Sequence, residues 1–378
     1  MKKVLILSGN EGHLSLAQTI TQLLNKNSFA THIIDPISSS VFKIYGPFYR
    51  YVPFLFKIPY KIGDLETIQK AVKFYMETKL DKQVKNLIKD HQPDLIVSTY
   101  FLNNFAIAKI LDYQKNSIPF LNVVANPWTI NPLEFLDKAG LNLVYDERSR
   151  KIGTDYGFRK EIISPIGWLV RPDFYKLQNT EQIRKNLGFA NHIFTLLICG
   201  GSEGTNMILK VLPAFLTINK PLQVMVVCGA NKTLFKALTA FKKVVKRLNQ
   251  SRFNQWKNLA FLNIKILSFT DKLPEFMSIA DLVVGKAGPN LLFETVASQK
   301  TFMAICHISG QEDGNLDLIR KKNLGWVEEN PLKAISLLKQ IIDRPQILTR
   351  FQKSIHKEYL YNKNANHLLV QTVKSLLR

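Results

Sequence analysis

Glycine and polar residues stand at the ends of several apolar segments of this chain, where they could bind a ligand. In the clearest example, a glycine-proline turn after the apolar run 282–284 begins a predicted helix, and a carboxylate follows one helical turn later. Backbone amides at a helix N-terminus bind phosphate groups without a metal, and such a carboxylate can accept both hydroxyls of a ribose. The pattern predicts a nucleotide-sugar site formed by Gly288, Pro289, Asn290 and Glu294. In the alternative, Glu294 only stabilises the first part of its helix.

A second glycine-rich turn follows the apolar run 194–199 and contains Gly200, Gly201, Ser202 and Gly204. Glycines let a phosphate or a sugar approach the backbone closely, and the serine adds a hydroxyl. The alternative is a structural turn between a strand and a helix. Neither this turn nor the turn at residues 9–13 has the spacing of a dinucleotide fold or the ending of a P-loop, which argues against a cofactor dehydrogenase and a nucleotide hydrolase.

Two further loops carry candidate ligands of the donor. Gln311, Glu312 and Asn315 place amide and carboxylate groups on a loop and at the start of a helix, where they suit the hydroxyls of a sugar. Their alternative role is an exposed polar helix start. Phe269 begins another loop, whose backbone we expect to contact the base of the nucleotide.

His13 is the candidate catalytic base. It follows Gly12 in the first strand-helix turn, where it would face a cleft, and an imidazole titrates near neutral pH. A structural histidine at a helix start is the alternative. The sequence contains no Asp-x-Asp motif, so we expect no metal cofactor. The predicted chemistry is an inverting transfer of the sugar, in which the base deprotonates the acceptor hydroxyl while that hydroxyl attacks the anomeric carbon.

The elements that must position these residues belong to an α/β fold. Short apolar runs alternate with helical patterns, which predicts parallel sheets covered by helices. The predicted strands are residues 4–7, 95–98, 120–124, 194–199, 224–228, 282–284 and 302–305. With 378 residues, 46% of them hydrophobic, the chain can form two domains. We expect an acceptor and membrane domain at 1–168, a nucleotide-sugar domain at 169–347, and C-terminal helices at 348–378 that pack across both.

The segment 36–63 is rich in aromatic and basic residues. It contains no Asp or Glu, and this composition is typical of a segment at a membrane interface. The candidate lipid-contacting residues are Phe42, Lys43, Tyr45, Phe48, Tyr49, Arg50, Phe54, Phe56 and Lys57. The alternative is an ordinary aromatic core with solvated lysines. A second basic region, 205–270, also lacks Asp and Glu, and its helix near 234–248 either lies against acidic lipids or is simply solvated.

Charge and targeting signals set the cellular context. The formal net charge of +22 favours an anionic partner, but no nucleic-acid-binding signature accompanies it. The apolar run at the N-terminus is too short for a signal peptide, and no apolar run reaches transmembrane length. The spacing of the three cysteines indicates neither a disulfide framework nor a zinc motif. We expect a protein bound peripherally to the cytoplasmic face of a membrane.

Several motifs occur together in the order found in one family. They are GNEGHLSLA at 9–17, CGGSEG at 199–204, VCGANK at 227–232, FTDKLPEFM at 269–277, GKAGPNLLFE at 285–294 and SGQEDGN at 309–315. The chain resembles the diacylglycerol glycosyltransferases of the monogalactosyldiacylglycerol-synthase type, relatives of the lipid II N-acetylglucosaminyltransferase in glycosyltransferase family 28. This resemblance implies a GT-B fold, a UDP-hexose donor and a diacylglycerol-type acceptor. It also implies that Glu294 binds the ribose, that Gln311, Glu312 and Asn315 contact the hexose, and that residues 36–63 grip the lipid.

The chain departs from this family at two positions of the acceptor half. The family commonly has an aspartate and a histidine near the positions of Asn126 and Asn131. Their replacement by amides indicates a different acceptor geometry or a loss of activity. Two alternatives therefore remain open: a transferase acting on a polyprenyl-diphosphate-linked sugar, and a non-catalytic membrane-surface protein that retains a nucleotide-sugar site.

Overall fold

Two parallel β-sheets organise the computed structural model of the chain. It describes residues 1–9, 12–37, 66–113, 118–137, 140–216, 218–250 and 262–378, together with residues 51, 55 and 57. Within this part of the chain, the first six strands form one sheet and the next six form another. Numbered along the chain, the strands lie side by side in the order 2-1-3-4-5-6 in the first sheet and 12-11-10-7-8-9 in the second. Every strand pair is parallel. The predicted α/β class is confirmed.

The N-terminal half contains the first sheet. Its elements are β1 Lys3–Leu7, α1 Gly12–Asn25, β2 Ala30–Ile34, α2 Glu66–His91, β3 Leu95–Ser98, α3 Phe101–Tyr113, β4 Phe120–Val123, β5 Leu141–Val144, α4 Glu147–Asp155 and β6 Ile163–Pro165. A short 3-10 helix, Pro132–Glu134, lies between β4 and β5.

The C-terminal half contains the second sheet. Its elements are α5 Thr180–Leu187, β7 Thr195–Cys199, β8 Leu222–Val227, α6 Lys232–Gln250, β9 Leu262–Leu267, α7 Leu273–Ile279, β10 Leu282–Lys286, α8 Pro289–Ala297, β11 Thr301–Cys306, α9 Asp313–Lys321, β12 Gly325–Val327 and α10 Pro331–Asp343. A longer 3-10 segment, Asn206–Leu216, connects β7 to β8. The chain ends with α11 Thr349–Leu376.

The central strands explain why the sheets form where the sequence predicts them. All residues of β7, β10 and β11 are buried, because helices cover both faces of a parallel sheet. Inner strands of this kind therefore appear in the sequence as largely apolar runs. Each such strand leads at its carboxyl end into a turn and a helix. In sheets of this kind the ligand-binding edge lies at these carboxyl ends, so the predicted glycine turns stand at the correct edge.

Helix α11 packs against both halves of the molecule. Near its start, Phe351 and Ile355 belong to the apolar core beside β10 and α8. Further along, Leu369 and Val373 belong to the core between α1 and the first sheet. One helix therefore contributes side chains to the core of each half.

Candidate active site between the two halves

The turn that carries His13 and the turn that carries Asn290 meet. The Asn290 side-chain amide donates to the Gly12 carbonyl at 3.0 Å, and its oxygen accepts from the Trp168 indole at 3.3 Å. The Trp168 ring stacks on Phe293 of α8, with centroids 5.1 Å apart. The N-termini of α1 and α8 thus face each other, so Gly288 and Pro289 at the start of α8 lie close to the first turn of α1.

His13 is held in a defined orientation and charge state. Its Nδ1 lies 2.7 Å from the Thr99 carbonyl oxygen, which can only accept, so Nδ1 carries the hydrogen and Nε2 keeps a free lone pair. The ring also packs at 4.5 Å from that of Tyr100. Burial lowers the pKa of His13 to about 4, although the Thr99 carbonyl opposes this shift. At neutral pH the imidazole is therefore uncharged and can accept a proton.

Glu294 lies one turn into α8 and contacts a cation. Its carboxylate oxygen Oε1 is 3.3 Å from the Arg171 Nη2, and it lines a small recess together with Ser15, Thr19 and Trp168. Burial raises the pKa of Glu294 to about 7, and the Arg171 guanidinium moderates the increase. The carboxylate that the sequence assigns to the ribose is thus directed at the space between the two halves.

The sequence analysis missed Arg171 as a site residue. Its guanidinium stacks over the Phe174 ring at 4.9 Å, and its buried Nε has no hydrogen-bond partner in the structure. A cation beside Glu294 and close to the start of α8 suits an anionic ligand. In the sequence, Arg171 lies just after the predicted domain boundary between residues 168 and 169 and in none of the family motifs.

The glycine-rich turn after β7 interlocks with the turn after β8. Gly201 and Gly204 have φ values of +80° and +70°, and a Cβ on Gly204 would lie 1.9 Å from the Cys228 carbonyl oxygen. The Ser202 carbonyl accepts from Ala230 N at 2.7 Å. Glycine is therefore required in this turn by its backbone conformation and by its packing against the second turn. Gly200 begins the turn, and its N–H donates to the Val227 carbonyl at 3.1 Å.

The predicted hexose-binding residues have three different environments. Glu312 is buried and forms an ion pair with Lys286 of β10. Asn315 is also buried and donates to the Ala287 carbonyl at 2.8 Å. Gln311 is partly buried, in the loop between them and β11. Glu312 and Asn315 thus support the loop from inside, and Gln311 is the member with exposed surface. Phe269, after β9, is 68% exposed.

The two amides of the acceptor half share a buried carboxyl that the sequence analysis missed. The Asn126 amide donates to both oxygens of Glu134 at 3.0 Å. The backbone N–H of Asn131 donates to Glu134 Oε1 at 3.2 Å, and its side chain caps the 3-10 helix through Leu133 N. Burial raises the pKa of Glu134 to about 7, against the effect of these hydrogen bonds. An ionisable group is therefore present where the sequence alone shows only amides.

The loop that carries these amides contacts the donor half. Thr129 Oγ1 accepts from the Gly314 backbone at 2.7 Å, next to the predicted hexose-binding loop. Arg148 lies over the Trp128 ring at 4.0 Å and within 4.0 Å of Asp317 on α9. The acceptor loop and the start of α9 are thus in direct contact.

The predicted lipid-contacting segment lies largely outside the described residues. This applies to Phe42, Lys43, Tyr45, Phe48, Tyr49, Arg50, Phe54 and Phe56, whereas Lys57 is described and exposed. In the described ranges, no helix has the length and apolar character needed to cross a bilayer. The same ranges contain no cluster of three or more His, Cys, Asp or Glu side chains placed to hold a metal.

Comparison with known families accounts for both halves of the chain. Residues 13–167 match the family described as monogalactosyldiacylglycerol (MGDG) synthase, and residues 195–344 match the C-terminal domain of glycosyltransferase family 28. The chain is similar to MGDG synthases in its N-terminal part and to glycosyltransferase family 28 in its C-terminal part. The resemblance drawn from the motifs is confirmed. The first matched region contains the strands of the first sheet other than β1, and the second contains all strands of the second sheet.

Individual relatives are similar at modest identity. The chain is 27% identical to the probable MGDG synthase of Nicotiana tabacum over 273 residues, which are 70% of this chain and 48% of that protein. It is 24% identical to the processive diacylglycerol beta-glucosyltransferase of Bacillus subtilis over 96% of this chain and 93% of that protein. The chain thus spans about half the length of the plant relative and nearly all of the bacterial one.

A solved structure shows the same fold. The crystal structure of Anabaena HepE in complex with UDP-glucose has a TM-score of 0.56 and 15% sequence identity, covering 99% of this chain and 100% of that one. The predicted GT-B architecture is confirmed.

Proposed function

We propose that the protein transfers a hexose from a UDP-sugar to a hydroxyl of diacylglycerol or of a glycosylated diacylglycerol. The observation that carries this proposal is the contact between Asn290 and Gly12. It brings the helix start suited to a diphosphate next to the histidine suited to activate an acceptor. The two relatives are named for transfer to the same class of lipid, and this supports the choice of acceptor.

In this proposal, the C-terminal half binds the donor. The ribose hydroxyls donate to Glu294, and the diphosphate lies at the N-terminus of α8, where free backbone amides and the helix dipole stabilise negative charge. Arg171 adds a cation beside the Glu294 carboxylate. Gln311 reads the hexose from its loop, and the loop that begins at Phe269 contacts the base. A metal is not needed, because amides and a guanidinium neutralise the leaving group.

His13 acts as the base. The acceptor oxygen forms a bond to the anomeric carbon while the bond from that carbon to the UDP oxygen breaks, and the acceptor proton passes to Nε2. A pKa of about 4 makes His13 a weak base. Proton transfer must therefore accompany bond formation, when the attacking hydroxyl becomes strongly acidic. The leaving UDP carries the negative charge away.

The acceptor enters from the membrane side of the N-terminal half. Residues 36–63 are aromatic and basic, and the chain has a net charge of +22, which supports binding to an anionic bilayer surface. The protein would work as a peripheral enzyme at the cytoplasmic face of the membrane. Gly12, Asn126 and Asn131 would then lie along the path of the acceptor hydroxyl.

The proposal is tested by incubating the purified protein with liposomes that contain diacylglycerol and anionic lipid. Radiolabelled UDP-glucose and UDP-galactose are supplied in parallel, with and without EDTA, and the lipids are extracted. We expect label in the lipid phase for one of the sugars, also in EDTA, and no label with Glu294→Ala. UDP binding by the wild-type protein without label in the lipid would contradict the transferase and favour a binding role. Label that appears only when a polyprenyl-diphosphate-linked sugar is supplied in place of diacylglycerol would replace the acceptor class.

A further inference from the structure

His307 connects two acidic residues at the base of the proposed hexose-binding loop. Its Nδ1 lies 2.7 Å from a carboxylate oxygen of Glu329, which follows β12. Its Nε2 lies 2.9 Å from Oδ1 of Asp313, the first residue of α9. Ser309 Oγ is 3.4 Å from the same nitrogen. The imidazole thus joins two elements of the sheet edge on either side of the loop that contains Gln311.

The Asp313 carboxylate also holds the loop backbone. Its Oδ1 accepts from Gly310 N at 2.9 Å, so one oxygen receives both His307 and the residue that precedes Gln311. Gly310 has a φ of +89°, a conformation that this contact supports. From the other side, Glu312 accepts from Ile308 N at 2.8 Å and forms an ion pair with Lys286. The geometry of the loop therefore depends on charged groups around a short stretch of backbone.

The charge of the imidazole decides how many of these contacts exist. An imidazolium donates from both nitrogens, whereas neutral imidazole donates from only one. Burial acts to lower the pKa of His307, but the carboxylates of Glu329 and Asp313 outweigh it and the pKa is raised. Lys210 donates to the Glu329 carbonyl at 2.9 Å and is the nearby competing cation. The neighbouring Cys306 thiol stays neutral, since burial raises its pKa to about 12.

We propose that His307 is a positioning residue for the donor sugar: as an imidazolium it ties Glu329 to Asp313 and so holds the loop of Gln311 in the shape that binds the hexose. This inference rests on the proposed function, because it assigns the loop to the hexose of a UDP-sugar. When His307 loses its proton, it keeps only one of the two carboxylates as an acceptor. Since the folded pKa is raised, the contribution of this bridge is present at low pH and is lost as pH rises through that pKa.

The experiment compares UDP-hexose with UDP by calorimetry between pH 6 and pH 9, using the sugar that the liposome assay identifies or both sugars. For the wild-type protein we expect UDP-hexose affinity relative to UDP affinity to fall by about tenfold as pH rises, which corresponds to the loss of one charge-assisted contact. UDP affinity itself should change equally in wild type and variant, because UDP does not reach the loop. His307→Gln should show the low ratio at every pH, and Glu329→Gln should move the transition to lower pH.

The matched control is His356→Gln, since His356 is exposed on α11 and contacts Gln299. It should retain the wild-type pH profile. A purely structural role for His307 would lower UDP and UDP-hexose affinity together without a pH-dependent ratio, and that result would overturn the proposal. So would an NMR titration of the His307 ring that gives a pKa at or below the usual value of a histidine side chain.

The same NMR titration separates this inference from the proposed function. If the wild-type protein bound neither UDP nor a UDP-hexose, the donor assignment would fail. The titration of His307, and amide exchange at residues 308–312 in wild type and His307→Gln, would still report whether the bridge orders the loop. Equal exchange in the two proteins at pH 6 would reject the bridge independently of any ligand.

Discussion

At the scale of single residues, burial tunes the site more than pairing of opposite charges does. Desolvation lowers the pKa of His13 to about 4 and raises the pKa of Glu294 to about 7. The first shift keeps the proposed base neutral at physiological pH. The second puts the proposed ribose ligand near its midpoint in the free protein, so a bound ligand can change its ionisation.

Replacing His13 should affect turnover but not donor binding. With His13→Ala we expect kcat to fall by about 10²- to 10⁴-fold, the usual contribution of a positioned base, while UDP affinity stays at the wild-type value. In the wild-type protein, kcat/KM should not decline through protonation of His13 until pH falls to about 5, because its pKa is lowered to about 4. Steady-state kinetics over pH 4.5–8 measure both. Wild-type turnover in His13→Ala would remove the base assignment.

Glu294 should make UDP binding pH-dependent. The ionised carboxylate accepts hydroxyl hydrogens better than the acid does, and its pKa is raised to about 7 in the free protein, so UDP affinity should increase from pH 6 to pH 8. Glu294→Gln should weaken UDP binding by about 10- to 100-fold at pH 8, the range for a hydrogen bond to a charged group, and should abolish this increase. Calorimetry at the two pH values, with His13→Ala as control, tests it; unchanged affinity would refute the role.

Restoring an aspartate at position 126 should harm this chain. In Asn126→Asp, a second carboxylate faces the buried Glu134, whose hydrogen bonds from Asn126 are lost. We expect a loss of about 1–3 kcal/mol of unfolding free energy at pH 8. The loss should be smaller at pH 5, where Glu134 is protonated, since its pKa is about 7. Urea denaturation measures both values. Asn186→Asp, at an exposed position, should stay near wild type; equal loss at the two pH values would argue against this charge pairing.

At the scale of elements, the sequence predicts best what is fully buried. The strands β3, β7, β10 and β11 are buried throughout and were predicted within one or two residues. Strands β2, β6, β9 and β12 were not predicted; they lie at sheet edges and most of their residues are half-buried. Strand β5 was not predicted either, since Asn142 interrupts its apolar run although it lies inside its sheet. These short sequences carry no continuous apolar signal, and pairing with a neighbouring strand decides their conformation.

The site shows the same limit for side chains. The positions at the starts of α1 and α8 follow from motifs next to buried strands. Arg171 contacts Glu294, 123 residues away in the chain, and Glu134 accepts from Asn126, 8 residues away. A single sequence does not reveal such pairings. Glu312 was expected to contact the sugar, but its ion pair with Lys286 depends on how α9 docks onto β10.

The interlocked glycine turns after β7 and β8 give a test at this scale. Gly204→Ala places a Cβ 1.9 Å from the Cys228 carbonyl at a φ of +70°, so the turn must move. Gly188→Ala is the matched control, since Gly188 has a φ of +65° with no atom within 4 Å of the added carbon. We expect a cost of about 1 kcal/mol for Gly188→Ala from strain alone and a clearly larger cost for Gly204→Ala. Equal thermal stability of the two variants would contradict the packing role.

At the scale of the whole molecule, the two halves are tied together through α11. Glu358 of α11 accepts from the Tyr145 hydroxyl and lies 3.3 Å from Lys322 Nζ, and Lys322 also lies 3.6 Å from Asp146. Because Tyr145 belongs to the N-terminal half and Lys322 to the C-terminal half, this buried cluster fixes their contact on the side of the molecule where α11 crosses. The ligand edges of the two sheets are thereby kept opposite each other.

The charge of the whole molecule gives the last prediction, which rests on its proposed place at the membrane. Helix α6 buries Leu234, Leu238 and Val245 and exposes a row of cations. Changing the exposed Lys236, Lys243 and Arg247 together to Gln should weaken binding to vesicles with anionic lipid by about 100-fold, at about 1 kcal/mol per charge. The triple change of Lys353, Lys357 and Lys363 to Gln on α11, also exposed, removes the same charge elsewhere and should have a smaller effect. Vesicle sedimentation in low and high salt measures this. Equal losses for the two sets would mean that net charge alone attracts the protein, whereas a larger loss for the α6 set would place that helix against the bilayer.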